Sequence, residues 1–355
     1  MEATNPIGTL VVGYGYWGPN IVRNINERPE FDLVALCERD ESRVAEFEKR
    51  TPGVACIRDY QTALSDPAVE AVAIATPPHT HYELVRRALE AGKQVLVEKP
   101  LARTAGEAAE LVELADELDS VLMPGHTFLY SPAVNKVKEL IQEDILGEIY
   151  FATSSRMNLG LYQRDGVILD LAPHDLSILL YWLGKPLVEV TANGRSVFQD
   201  GVHETAFMTL RFEDDAQANV QISWLAPRKM REMVVVGSKR MVRYEDTSAD
   251  EAVRIYDRGL DFSEPPATFG EYQLTYRTGD IVTPQIRPAE PLSLELQDFA
   301  SAIREGTTPV SSPRLGLEVV FALEALERSL HAKGEPVKVR SADDVRRRRR
   351  PLVTR

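Results

Sequence analysis

The sequence predicts an α/β protein in which a doubly wound parallel sheet is followed by an α+β domain on a largely antiparallel sheet. Three observations predict it. Apolar runs alternate with helical-period segments as far as residue 125, a glycine-rich turn closes the first run, and beyond Pro124 strand-like runs follow one another across short polar turns. At 355 residues the chain is longer than one hydrophobic core usually serves, so two domains are expected.

The apolar runs of the first third are Thr9–Val12, Phe31–Cys37, Ala71–Ala75, Gln94–Val97 and Val121–Met123. The stretches between them carry helical spacing. Residues 82–91 set Leu84, Val85, Ala88 and Leu89 on one face, and Gly92 follows as a stop, so the region reads as parallel β-α-β units.

The first run ends in Gly13-Tyr14-Gly15-Tyr16-Trp17-Gly18, a G-x-G-x-x-G turn that opens a helix through Ile21, Val22 and Ile25. Each glycine has a distinct use. The first permits the tight turn, the second lets a pyrophosphate approach the backbone, and the third lets helix and strand pack closely, with the helix N-terminus facing the phosphates. This is the Rossmann pattern, and it predicts a nicotinamide dinucleotide. Twenty residues beyond Gly18, Glu38 ends the second strand, where its carboxylate would accept the adenosine ribose hydroxyls. A carboxylate repels a 2′-phosphate, so NAD is favoured over NADP. Arg39 keeps NADP open, because a guanidinium there could serve that phosphate or stack on adenine.

Ligands of open α/β sheets bind outside the carboxyl ends of the strands, which selects Thr76-Pro77-Pro78-His79 and Glu98-Lys99-Pro100 as well. The expected cofactor set is therefore Gly13, Gly15, Tyr16, Trp17, Gly18, Glu38, Arg39, Thr76, Pro77, His79, Glu98 and Lys99. Lys99 is also a candidate catalyst, because an ammonium can polarise a carbonyl and partial burial lowers a lysine pKa. The competing reading of Glu98-Lys99 is a surface salt bridge in a loop.

Beyond Pro124 a helix is expected over Pro132–Gln142. Strand-like runs follow at 148–158, 187–196, 204–212, 216–225, 233–237 and 241–245, joined by turns such as Glu213-Asp214-Asp215. A proline-bearing stretch with Pro265, Pro266, Pro284 and Pro288 reads as a long loop, and two helices are expected over Leu292–Arg304 and Leu315–Leu330. One segment stands apart. In Leu169-Asp170-Leu171-Ala172-Pro173-His174-Asp175-Leu176, Pro173 suits a first helical turn starting near Leu171, and Gly184 suits the stop. Asp170 and His174 are four apart, so both project from one side, and a histidine whose pKa lies near operating pH can take the proton of an alcohol. Asp170 as a helix cap and His174 as a core histidine remain the alternative.

Composition narrows the partners. A net charge of −13 and 44% hydrophobic residues describe an acidic, folded globular chain, which excludes nucleic acid as the main partner. The arginine run 346–350 reads as a solvated tail. Cys37 and Cys56 give neither a disulfide framework nor a metal-site spacing, His79 and His81 flank a helix start rather than forming a ligand pair, and no metal is expected. No apolar run has the length of a membrane span and no leader pattern opens the chain, so a cytoplasmic location is expected.

The chain resembles the glucose-fructose oxidoreductase, inositol dehydrogenase and rhizopine-catabolism (Gfo/Idh/MocA) family along nearly its whole length. Four motifs carry the resemblance: Gly13-Tyr14-Gly15-Tyr16-Trp17-Gly18-Pro19-Asn20, Thr76-Pro77-Pro78-His79, Val97-Glu98-Lys99-Pro100-Leu101-Ala102 and Asp170-Leu-Ala-Pro-His174-Asp175. It implies that Lys99, Asp170 and His174 form the catalytic group, that the peptide before Pro100 is cis, and that an open-faced sheet serves a homodimer or homotetramer. It implies NAD(P)-dependent dehydrogenation of a secondary alcohol. Only Gly166 remains of the glycine-rich stretch that many members carry before the aspartate. The runs Ser155 to Gln163, Ser223 to Arg228 and Glu290-Pro291-Leu292 look instead like the branch of polysaccharide and nucleotide-sugar pathways. The expected substrate is a sugar, sugar nucleotide or polyol, with Arg156 and Arg164 supplying positive charge and Asn158 and Tyr130 meeting hydroxyls. A glycosidase of the same family that keeps its NAD, and a non-catalytic sensor of sugar or dinucleotide, are the alternatives. The domains expected are 1–125 for the dinucleotide, 126–340 for substrate and oligomer contacts, and 341–355 as a basic tail.

Overall fold

The computed structural model describes residues 5–160, 165–248, 250–262 and 274–341. The chain forms two compact units, one holding residues 5–130, 289–324 and 340–341 of those described, the other 131–288 and 325–339. The sequence reading placed 289–324 in the second domain. Its residues join the first unit because their apolar faces pack there: Phe299 stacks on Phe31 at 6.4 Å between ring centroids, and Arg28 donates to the Ser293 hydroxyl at 2.8 Å.

Unit 1 begins with β1 (Ile7–Val12), α1 (Gly18–Glu27), β2 (Phe31–Cys37), α2 (Glu41–Arg50), β3 (Ala55–Ile57), α3 (Tyr60–Leu64) and β4 (Ala71–Ile74). It continues with α4 (His81–Glu90), β5 (Gln94–Glu98), α5 (Ala105–Glu117) and β6 (Leu122–Gly125). The sheet order is β3-β2-β1-β4-β5-β6, with every pairing parallel, and the order reverses between β1 and β4, the position at which such sheets bind dinucleotides. All of β1 and β4 is buried, as strands covered on both faces by helices must be. Side-chain caps begin several helices. Asp40 accepts from Ser42 N and Arg43 N at the start of α2, and Thr104 with Glu107 forms a capping box on α5. The sequence reading had no strand at β3, whose three residues are too few to show a period.

Unit 2 opens with α6 (Pro132–Gln142), β7 (Ile149–Leu159), α7 (Gly166–Leu183), β8 (Leu187–Arg195), β9 (Thr205–Phe212), β10 (Gln217–Ser223) and β11 (Leu225–Gly237). Then come β12 (Met241–Glu245), β13 (Val253–Phe262) and β14 (Leu274–Val282), the unit 1 helix α8 (Pro291–Glu305), α9 (Pro313–His331), which gives residues to both units, and β15 (Val337–Lys338). The sheet runs β14-β13-β12-β11-β7-β10-β9-β8-β15, antiparallel except for the parallel pair β10–β7. One face is apolar and buried through Ala218, Val220 and Ile222, whereas Phe151 and Phe207 on the other face are 43% and 54% exposed.

Two sequence expectations fail here. The stretch read as a loop contains β13 and β14, whose β-branched and aromatic residues pair despite the flanking prolines; Pro265 and Pro266 lie outside the described residues, as do Arg164 and the tail from 342. α7 starts at Gly166, not near Leu171, so Pro173 lies inside the helix and denies the Leu169 carbonyl its partner four residues on. α7 is long and apolar enough to cross a membrane, yet 67% of it is buried within the protein.

Candidate active site

In unit 1 the glycine turn shows which glycines the fold itself requires. Gly13 has φ of +93°, and a Cβ on Gly18 would lie 2.3 Å from the Gly13 carbonyl oxygen, so neither position tolerates a side chain. Gly15 differs. A Cβ there would meet nothing nearer than the Arg43 guanidinium at 3.6 Å, an ordinary contact, so the protein leaves open the side on which a pyrophosphate would approach. α1 begins directly after, with no side-chain cap on its N-terminus and Pro19 in its first turn. Tyr16 is 85% exposed and its ring stacks on Trp17, whose buried indole N–H has no hydrogen-bond partner among the described residues.

Glu38 ties the strand end to this turn. Its Oε2 accepts from Tyr14 N at 2.7 Å, and its Oε1 from Arg39 N at 2.7 Å and Asp40 N at 3.0 Å. Burial alone would raise its pKa, but those three N–H groups and Arg43, 3.7 Å away, hold it below the usual carboxylate range. The carboxylate is ionised, fixed and mostly saturated by backbone, leaving lone-pair capacity for a ribose hydroxyl. Arg43, which the sequence reading missed, stands nearer to the glycine turn than its position inside a surface helix suggested. An arginine in the first turn of the helix that follows the acidic strand end was the available signal.

Around β5 the site is polar and deep. Glu98 pairs in register with Gly125 on β6, where the absence of a side chain leaves room for the Glu98 carboxyl. Glu98 is partly exposed, yet enough protein surrounds its carboxyl to push it up to about 7, with the Lys99 charge opposing. His126 is buried, and its two ring nitrogens lack hydrogen-bond partners among the described residues; burial first and Lys99 second push it down to about 3, so the ring is neutral. From α8, buried Glu295 accepts from the Thr127 hydroxyl at 2.7 Å, and burial with the Glu98 charge holds it well above the ordinary range. The Lys99–Pro100 peptide is cis.

Thr76 and Pro77 lie at the end of β4, and His79 is exposed. The histidine that matters structurally is His81, fully buried, with ring nitrogens 2.8 Å from the carbonyl oxygens of Thr76 and Pro100.

In unit 2, Asp170 and His174 stand one turn apart on α7, both half-buried. The Trp224 indole N–H, from the junction of β10 and β11, donates to Asp170 Oδ2 at 2.9 Å. Asp175 is buried and held by Arg156 from β7: Nε lies 3.0 and 3.1 Å from its two oxygens, and Nη2 lies 3.0 Å from Oδ1. Burial works against the Arg156 charge, but Asp175 outweighs it and keeps the guanidinium pKa above its ordinary value.

Two expected substrate residues are placed otherwise. Arg156 turns its charge inward to Asp175. Tyr130 is buried in unit 1, donating to Asp298 at 2.7 Å and accepting from Ser311 N at 3.0 Å, so its hydroxyl is already satisfied. Asn158, on β7, is half-buried. Lys99 belongs to unit 1, and the Asp170–His174 pair to unit 2.

A Rossmann unit whose turn and acidic strand end fit a dinucleotide, in one chain with a helix bearing an orientable Asp-His pair, defines the class: an NAD(P)-binding oxidoreductase. Comparison with known proteins narrows it. Residues 7–126 match the oxidoreductase family with an NAD-binding Rossmann fold, and residues 134–243 match the Gfo/Idh/MocA C-terminal domain. GenD2 from gentamicin A biosynthesis, solved in complex with NAD, is 26% identical with a TM-score of 0.80, over 96% of this chain and 98% of that one. Inositol 2-dehydrogenase of Corynebacterium glutamicum is 25% identical over 92% of this chain and 95% of its own. UDP-N-acetylglucosamine 3-dehydrogenase from Acidithiobacillus ferrooxidans shares the fold, with a TM-score of 0.77 at 23% identity over 93% of this chain and 99% of that one. The chain belongs to the Gfo/Idh/MocA family of oxidoreductases.

Proposed function

We propose that this oxidoreductase oxidises a secondary hydroxyl of a sugar, sugar nucleotide or polyol, with NAD as the preferred dinucleotide. The observation that carries the reading is the Asp170–His174 pair, one turn apart on α7, with the Asp170 carboxylate fixed by the Trp224 indole. When bound, the dinucleotide supplies the hydride acceptor. His174 takes the hydroxyl proton, and Asp170 orients the ring or shares the substrate hydroxyl. Lys99 holds the charge that develops on the substrate oxygen. Glu38, ionised and fixed, favours NAD by repelling a 2′-phosphate.

The relatives' names support the substrate class without choosing within it: one acts on inositol, and another, alike in fold, on a UDP-amino sugar. The enzyme is read as a cytoplasmic homo-oligomer. Free Cys37 and Cys56 suit a reducing compartment, and exposed Phe151 and Phe207 on one face of the unit 2 sheet offer apolar surface for a second copy. The test is dihydronicotinamide absorbance with NAD or NADP and a panel of polyols, free sugars and UDP-sugars. Reduction with one class identifies the substrate. Tightly held dinucleotide with no net reduction, accompanied by release of an aglycone, would replace this reading with the glycosidase.

A further inference from the structure

The pairing of β4 with β5 ends at Ile74↔Val97, so the turns that follow, one bearing Thr76 and Pro77 and the other Lys99 and Pro100, extend past the last ladder hydrogen bond between these two strands. The His81 side chain spans them. His81 has no exposed surface, its Nδ1 lies 2.8 Å from the Pro100 carbonyl oxygen, and its Nε2 lies 2.8 Å from the Thr76 carbonyl oxygen. Its backbone is anchored independently as the first residue of α4, whose Val85, Ala88 and Leu89 are buried. The ring therefore projects from a fixed base into the gap that the ladder leaves.

We propose that His81 is a positioning residue for the catalytic centre, fastening the turn after β4 to the turn that carries Lys99. Carbonyls only accept, so the ring fastens both turns as an imidazolium and one as a neutral ring; burial lowers its pKa, the Pro100 and Thr76 carbonyls raise it, and nearby His79 and Lys99 lower it further. A buried histidine satisfies its nitrogens on whatever acceptors pack against it. This one joins the two strand ends that the dinucleotide-binding rule selects, and Pro100 adjoins Lys99 directly. Exposed His79, two residues earlier, makes no such connection among the described residues, whereas Thr76 and Thr80 join their hydroxyls at 2.6 Å to stiffen it.

The proposal rests on the reading that Lys99 acts in the chemistry, and the test separates the two. Three replacements divide the clamp: His81→Asn keeps a donor near Nδ1 for Pro100, His81→Gln keeps one near Nε2 for Thr76, and His81→Phe fills the space with neither. The lysines of each protein are reductively methylated with ¹³C and the Lys99 resonance is assigned with Lys99→Arg. NADH affinity is read by fluorescence, and turnover is measured with NAD and the UDP-sugar or polyol that the panel selects. In His81→Phe we expect the Lys99 signal to move while the other lysine signals stay, and kcat to fall on the order of 10²-fold, the cost of a misplaced reacting group, with KM changing much less. Asn and Gln should each restore roughly tenfold of that loss. An unmoved Lys99 signal and kcat within about twofold of the parent in His81→Phe would overturn the clamp. Should His81→Phe not fold, nitrogen NMR of the parent decides: two ring N–H groups, each coupled to its own carbonyl, support the proposal, and a ring with at most one such N–H overturns it. Unchanged turnover in Lys99→Met, with the Lys99 signal still moving in His81→Phe, would leave the clamp standing and remove the catalytic reading of Lys99.

Discussion

The two polar centres of this molecule are built by opposite means. In unit 1 the dinucleotide side is made of backbone: glycines that the turn requires, a helix N-terminus, and a carboxylate held by three backbone N–H groups, one from Tyr14 in the glycine turn and two from Arg39 and Asp40 beyond β2. In unit 2 the Asp170–His174 pair sits on one helix but is fixed by side chains from elsewhere, Trp224 on Asp170 and Arg156 on the neighbouring Asp175. A centre made of local backbone is robust to most substitutions outside its glycines. One made of distant side chains fails when a single partner is lost.

The contrast can be broken first at Arg156. Arg156→Met leaves the buried Asp175 without its partner and should cost about 3–5 kcal/mol of stability, read from the urea midpoint; adding Asp175→Leu should recover most of it. A loss under about 1 kcal/mol would place the pair among weak surface bridges and remove its role in seating α7.

At Trp224 the expected loss is smaller and falls on activity. Trp224→Phe keeps the ring and removes the donor to Asp170, a bond to a charged acceptor worth about 1.5–3 kcal/mol, so kcat should fall roughly tenfold or more with NADH affinity unchanged. Equal turnover would show that Asp170 orients itself without the indole.

Gly15→Ala sharpens the other side. The new methyl meets only Arg43 within ordinary contact, so the melting temperature should hold while NAD affinity drops roughly tenfold, about one charge-assisted hydrogen bond. Gly18→Ala, by contrast, collides with the Gly13 carbonyl and should damage folding itself. Identical behaviour of the two variants would mean that Gly15 serves the fold and not a ligand.

A further effect is a pH dependence at Glu98. Its folded pKa of about 7 lies above the ordinary 4.5, so the folded state binds more protons and stability falls as pH rises from near 4.5 through about 7, then levels off. Glu98→Gln should flatten that slope in melting temperature against pH. A slope unchanged in the variant would assign it to Glu295 or Glu318, whose carboxyls are also raised by burial.

What could be read from the sequence follows the same division. The glycine turn, Glu38 and the β-α-β rhythm were legible because each is a local pattern whose meaning depends on residues within a few positions. The Asp170–His174 spacing was legible too, but not the helix that carries it: Pro173 reads as a helix start, whereas tertiary burial of Val167 and Ile168 extends α7 back to Gly166. Arg156 and Tyr130 looked like ligands because a lone arginine and tyrosine carry no mark of the Asp175, Asp298 and Ser311 that satisfy them from distant positions. His81 was legible only as a histidine near a helix start and not as a link between turns, since both of its partners are backbone carbonyls.

Proton transfer by the unit 2 pair is tested by turnover of His174→Ala with NAD and the panel substrate, measured beside its NADH affinity. The expected result is a kcat loss of about 10²–10⁴-fold with NADH binding and melting temperature kept. Turnover near the parent's would contradict it and leave the pair as a helix cap and a core histidine.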